Sequence, residues 1–312
     1  MACLTLLLSG VLTFIVVTVY SISTEDSLKL QTNIIPEHYD IDLTLNMEEN
    51  VFVGHNHYFF EILAKTQTIS MFSEELGIVS AKMNMYHKYN EPITSFNYTI
   101  VGYIYDNENH TISLTFREKI PPGKYTLIVK YSGVIDDKLD DESKGGFRRV
   151  FLTEKEGVMW LSATHFNPIW ARRIFPCWDP SKKATFEIFI EHPKEYTILS
   201  NMPMQVNEHE YNNNIRRTKF DSTPAMSPYH VSIVITNFVR NFIFENDIVS
   251  MWCKMQSSSS VQFALTITRN ITLYLKEEWK HLQQFPDVNY IVIPGFQELD
   301  KSVANLGIII YK

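Results

Sequence analysis

His55 and His57 are two residues apart, the spacing that puts two imidazoles on the same face of a β-strand, and Glu61 falls on that face too. Imidazole and carboxylate are metal-ligand types, so a strand carrying them could hold an ion. No third ligand of comparable strength can be placed beside the pair from the sequence, and the reading is a solvent-facing strand surface. The remaining histidines are scattered. The chain contains no H-E-x-x-H, no Gly-rich phosphate loop and no G-x-S-x-G. The helical zinc site, the nucleotide cradle and the nucleophile elbow are therefore not starting points. Trp160, Trp170, Trp178 and Trp252 suit a carbohydrate or ligand platform, and equally a packed core.

Strands must position these side chains. Asp40–Asn46, Val51–Ile62, Thr111–Phe116, Tyr125–Tyr131, Ala184–Ile190 and His230–Thr236 alternate or run apolar over strand-like lengths. Pro121-Pro122-Gly123, Asp136-Asp137 and Asn212-Asn213-Asn214 punctuate them. Short strands with no helices between them predict a mainly β fold, a large antiparallel layered β domain over residues 24–256. Four serines, Ser257–Ser260, mark a shift in composition. From Val261 to Gln284 a helical stripe follows, with Phe263, Ile267, Ile271, Tyr274, Leu275 and Leu282 on one face and Pro286 ending it. Strands at Tyr290–Pro294 and Leu306–Tyr311 complete a truncated α/β segment over 257–312. The latter strand, L-G-I-I-I-Y, is expected to pair only with Tyr290–Pro294 and to leave its other edge open.

The chain has 312 residues, 45% of them hydrophobic and 13% aromatic, enough apolar material for a packed core. A net charge of -7 without a long Lys/Arg run argues against a nucleic-acid partner. Residues 1–23 read as a secretory signal peptide: Leu4 to Tyr20 carries no charge, and Ser21 and Ser23 suit the residue before a cut. The alternative is a retained signal anchor, the only route by which the membrane would become a partner. Asn97, Asn109 and Asn270 head N-x-[ST] sequons, consistent with a secreted, extracellular glycoprotein. Cys3 lies in the leader. Cys177 and Cys253 read as two buried thiols, with a single bridge between them left open.

One stretch is denser in chemistry than any other. Thr164–Phe186 reads T-H-F-N-P-I-W-A-R-R-I-F-P-C-W-D-P-S-K-K-A-T-F. It resembles the T-Q-x-E-P-x-x-A-R-R-x-F-P-C-x-D-E-P-x-x-K-A-T-F block of the aminopeptidase N family of zinc metallopeptidases. Pro36-x-x-Tyr39-Asp40, Gly146-Phe147 and Pro294-x-Phe296 extend the resemblance across the mature chain. It implies an N-terminal β domain docked on a thermolysin-like domain that holds zinc. In that reading the quoted segment is a structural connector: its arginines and aspartate tie strands together, and its first residues line the active-site wall.

The same resemblance implies two carboxylates that recognise a peptide amine. His165 stands in place of the family's Gln, Asn167 in place of the first Glu and Ala304 in place of the second, while the neighbouring Asn305 is kept. Each charged hydrogen bond is worth about 1.5–3 kcal/mol, so losing two weakens amine binding by about 10²–10⁴ fold. The family's zinc segment is expected beyond Lys312, so this chain would carry no catalytic residue, no metal ligand and no cofactor of its own. The expectation is a truncated, non-catalytic relative that binds peptide N-termini or another protein, or that is a remnant with no selected role. The alternative is a portion of a longer zinc aminopeptidase acting in peptide catabolism.

Overall fold

The computed structural model describes residues 30, 32–85, 97–135, 146–154, 157–164, 170–205, 209–212, 214–241, 248–253, 259–278, 287–292 and 303–311. The chain forms two compact units, residues 29–237 and residues 238–312. The fold is mainly β, as the alternating apolar pattern predicts.

In the first unit, one sheet has eight strands. Its centre is β1 (Ile34–Asn46), β2 (Val51–Ile62) and β8 (Gly123–Val134). β4 (Gly77–Met85) and β5 (Asn97–Tyr98) extend one side, and β11 (Thr185–Pro193), β14 (Ile215–Lys219) and β13 (His209–Asn212) the other. The order is β13-β14-β11-β1-β2-β8-β4-β5. A three-stranded sheet joins β3 (Thr66–Phe72), β7 (Thr111–Ile120) and β6 (Ile100–Asp106) in the order β3-β7-β6. A four-stranded sheet runs β12 (Thr197–Ser200), β15 (Ile233–Thr236), β10 (Gly157–Thr164), β9 (Phe147–Glu154).

The period-2 pattern of β1 and β2 sorts their side chains cleanly. Tyr39, Ile41 and Leu43, with Phe52, Tyr58 and Phe60, point inward and are essentially inaccessible. His38, Asp40, Asp42, His55, His57 and Phe59 alternate with them and point to the other face. One pairing departs from the antiparallel expectation: β1 and β11 run parallel, with Asp40 opposite Glu187. Alternation of side chains is the same in both orientations, so the sequence does not distinguish them. The chain between the two strands is long enough for the crossover a parallel pair requires.

In the second unit a five-stranded sheet has the order β16 (Val239–Asn241), β17 (Val249–Cys253), β18 (Val288–Val292), β20 (Ile308–Tyr311), β19 (Val303–Asn305). β16 and β17 belong here through the parallel β17–β18 pair, which moves the division from the expected 256/257 to 237/238. Helix α1 (Ser259–Glu278) packs Leu265 against Val249, Met251, Tyr290 and Ile309.

Two expectations about this unit are corrected. The helix buries Leu265 and Thr268, whereas Phe263 and Tyr274 are exposed. Its covered face thus runs through Leu265 and Thr268 and leaves out the two aromatic residues of the stripe, while Ile267, Ile271 and Leu275 are half-buried and Leu282 lies outside the described residues. The edge of β20 is also not open. β19 pairs with it antiparallel through a turn at Gly307, whose φ of 74° suits glycine, and Ile308, Ile309 and Ile310 are all buried.

Candidate functional site

Residues 170–186 form a fastener inside the first unit. A short 3-10 turn, Trp170–Arg173, leads into Pro176 and Cys177, which bridge to the end of β3. The Phe72 amide donates to the Cys177 carbonyl at 2.7 Å and the Cys177 amide returns the bond at 3.0 Å. Beside this bridge the Arg172 Nε donates to Glu74 Oε2 at 2.7 Å, and the Glu74 amide donates to the Arg172 carbonyl at 2.9 Å. Both side chains of that ion pair are largely buried. His110 Nδ1 lies 3.6 Å from the same Glu74 oxygen. Arg173 pairs with Glu75, a residue held at φ 55°, in the left-handed region that non-glycine residues enter at a cost of about 1–2 kcal/mol. Gly146 lies against the Arg173 stem at φ 114°, where an added Cβ would meet the Arg173 Cβ at 3.3 Å.

The rest of the segment anchors in the core. Trp178 is buried, its ring 5.0 Å from Phe60, 5.8 Å from Tyr58 and 5.9 Å from Tyr39 between centroids. Its amide donates to the Tyr39 hydroxyl at 3.3 Å. Lys182 Nζ donates to the Ile34 carbonyl at 2.6 Å, tying the segment to the start of β1. Asp179 acts locally instead of tying strands, accepting from the Ser181 amide at 2.8 Å and the Ser181 hydroxyl at 2.6 Å. Cys177 and Cys253 are both free, buried thiols, so the disulfide left open by the sequence is not formed. Burial pushes the Cys177 thiol up to about 12, leaving it protonated and a poor nucleophile at physiological pH.

The sequence-predicted site residues fall in several places. His165 and Asn167 lie outside the described residues, as does the leader. Among the described residues no helix is long and apolar enough to cross a membrane. Ala304 and Asn305 lie on β19, opposite Ile309 and Ile308. The Ala304 methyl packs against the cluster of Val249, Met251, Leu265, Tyr290 and Ile309, an apolar setting. Asn97 is exposed on β5 and Asn270 is exposed on α1. Asn109 is half-buried, with its side-chain amide donating to Asp106 Oδ2 at 2.6 Å. Of the tryptophans, Trp178 and Trp252 are core residues, Trp252 donating its Nε1 to Asn289 Oδ1 at 2.9 Å. Each of these two side chains is used in packing and is not part of an exposed platform.

His55 and His57 do share a face, their rings 5.3 Å apart, and burial lowers the pKa of His57. His55 borders a shallow polar depression of about 360 Å³ with Asp42, Lys130, Glu191 and Arg217, in which Asp42 and Arg217 are paired at 2.6 Å. Burial pushes the Asp42 carboxyl up, while the Arg217 guanidinium opposes the shift. Sequence reasoning missed a different group. His38 and Asp40 on β1 and Glu187 on β11 bring their ligand atoms within 4.8 Å of one another. The two strands lie far apart in the chain and meet only through the parallel pairing, a long-range register with no local signature. These residues do not fit the zinc centre that the resemblance implies. They sit on strands, with no H-E-x-x-H helix, and no catalytic step is derived through a metal.

Comparison with known families completes the site. Residues 35–230 match the model of the peptidase M1 N-terminal domain. Aminopeptidase M1 of Arabidopsis thaliana is 28% identical over 281 residues, which is 89% of this chain and 30% of that protein. Aminopeptidase M1-A of Oryza sativa subsp. japonica is 29% identical over the same shares. Glutamyl aminopeptidase of Homo sapiens is 26% identical over 292 residues, 92% of this chain and 29% of that protein. The chain thus spans about 30% of the length of these curated relatives.

Proposed function

The chain belongs to the peptidase M1 family, through its N-terminal domain, and from that premise we propose that these 312 residues are a non-catalytic, secreted β module with a binding role. The observation that carries the reading is Ala304. The resemblance puts an amine-binding carboxylate there, and the chain has a methyl group packed against aliphatic and aromatic neighbours. Asn167 makes the same change in charge at the other carboxylate position. Without both carboxylates a peptide amine loses its charged partners. With amine recognition weakened, another protein is the occupant proposed for the module ahead of peptide N-termini. The uncharged leader and the exposed Asn97 and Asn270 support passage through the secretory route with glycans at those two positions.

A second reading is that these residues work within a longer zinc aminopeptidase. The names of the relatives and the 30% share of their length favour it. An immunoblot of native material separates the two readings. A band of the mass of 312 residues plus glycans fits the first, and one about three times larger fits the second.

The non-catalytic reading is tested on the chain expressed with its own leader in insect cells. The protein is expected in the medium, and glycosidase treatment is expected to raise its gel mobility. Alanyl and glutamyl p-nitroanilides are expected to release no chromophore above buffer, with or without added Zn²⁺. Chelator-sensitive release by the purified chain would overturn the non-catalytic reading. Retention in the pellet after carbonate extraction would show an anchor instead of a cleaved leader.

A further inference from the structure

We propose that the outward face of the eight-stranded sheet binds one divalent transition ion, with His38, Asp40 and Glu187 as ligands and water in the fourth position. Two facts of register place them. Asp40 on β1 is directly opposite Glu187 on β11. His38 stands two residues from Asp40 on the same face of β1. His38 and Asp40 on a single strand lack a third ligand. The neighbouring strand β11 provides it here.

The geometry needs little rearrangement. A tetrahedral ion with bonds of about 2.1 Å wants its ligand atoms roughly 3.4 Å apart. The ligand atoms of His38, Asp40 and Glu187 already lie within 4.8 Å of one another, and His38 Nε2 is 2.7 Å from Asp40 Oδ1. The side chains are 11%, 24% and 15% exposed, so an ion there is partly shielded from water and still reachable. The Phe59 ring, 5.8 Å from that of His38, flanks the imidazole. Imidazole with carboxylate selects borderline ions such as Zn²⁺ over Ca²⁺ or Mg²⁺.

The surroundings of His38 prepare it for this role. Its Nδ1 is 2.5 Å from Thr185 Oγ1, and Thr185 Oγ1 is 3.3 Å from the Glu37 carbonyl. Without an ion, Nε2–H donates to the Asp40 carboxylate and Nδ1 accepts from the Thr185 hydroxyl; an ion at Nε2 requires the proton to sit on Nδ1 instead, where it is donated to Thr185 while the threonine hydroxyl donates to the Glu37 carbonyl. That is the orienting hydrogen bond that ligating histidines make on the side away from the metal. Asp42 and Glu37 pair with Arg217 and Lys124, which leaves Asp40 and Glu187 for the ion. Lys219 Nζ is 2.8 Å from Glu187 Oε1 and 5.0 Å from the Phe189 ring centroid, and an ion must displace it.

The test is equilibrium dialysis of Zn²⁺ alone against the full, untagged chain, with folding of each variant checked by thermal melting. One ion per chain is expected for the wild type. His38→Ala and Glu187→Gln should each weaken binding by about tenfold or more, and His55→Ala should leave it unchanged. Lys219→Met should tighten it, because the competing ammonium is gone. Glu187→Gln keeps the size and shape of the side chain and gives up only the ion pair with Lys219, so it carries the test if His38→Ala does not fold. Absence of stoichiometric binding to the wild type overturns the proposal. So does binding that is equal in wild type and Glu187→Gln, or weaker in Lys219→Met. Peptidase activity does not enter the test, so its outcome is independent of the proposed function.

Discussion

Replacing Arg172 with methionine is expected to lower the unfolding free energy of the first unit by about 3–5 kcal/mol, the cost of leaving a buried charge without its partner. Glu74 is the charge left behind. It is 17% exposed and bonded to the Arg172 Nε at 2.7 Å, with His110 Nδ1 at 3.6 Å from the same carboxylate. The neighbouring pair gives an internal control. Glu75 is 61% exposed, so Glu75→Ala is expected to cost at most about 1 kcal/mol from the ion pair, with a further change from relief or loss of its left-handed backbone. Denaturant melts of the three proteins check this. The double variant Arg172→Met/Glu74→Leu should recover much of the loss, since it removes both charges. Equal melting midpoints for Arg172→Met and wild type would show that the arginine does not fasten the segment.

Gly54→Ala is expected to cost about 3 kcal/mol although it adds only one methyl group. Gly54 points into the core from β2, opposite Tyr131 on β8. A Cβ at that position would fall 2.1 Å from the Tyr131 ring, far inside van der Waals contact, and Tyr131 is completely buried. The ring cannot swing to solvent, so rotamers and backbone must shift, and such overpacking costs about 1–3 kcal/mol or more. Tyr131→Leu removes the atoms that clash. On its own it leaves a cavity, but with Gly54→Ala it should be less destabilising than the sum of the two single variants. Additive losses in a double-mutant cycle would place the cost of Gly54→Ala elsewhere.

The sequence showed the strands that alternate and little of how they meet. β1, β2, β7, β8 and β11 are visible because one face of each is apolar, as Tyr39-x-Ile41-x-Leu43 and Phe186-x-Ile188-x-Ile190 show. The parallel β1–β11 pair is not visible, because side-chain period says nothing of strand direction. On α1, the large aromatic residues Phe263 and Tyr274 drew the predicted stripe toward themselves, while the covered face is built on Leu265 and Thr268. Read from the sequence, β20 needs a partner after it in the chain. β19, three residues with no strong apolar pattern, lies just before it and closes the edge.

The site residues divide in the same way. The dense segment around Arg172 and Cys177 was legible as a connector from its composition and its family resemblance. Its partners Glu74, Glu75 and Phe72 were not, because ion pairs and bridges across about a hundred residues have no local signature. His55 and His57 were found by spacing, but the cluster of His38, Asp40 and Glu187 needed the register of two strands.

The central structural claim is that residues 170–186 hold the β unit together rather than hang beside it. Native-state hydrogen exchange at the amides of Phe72, Glu74 and Cys177 tests this most directly. These amides donate to the carbonyls of Cys177, Arg172 and Phe72 across the fastener. The account predicts that they exchange as slowly as the β1–β2 ladder, and that Arg172→Met speeds both sets together, because the bridge opens only with the unit as a whole. Exchange of these three amides within minutes, while the β1–β2 ladder stays protected, would contradict it.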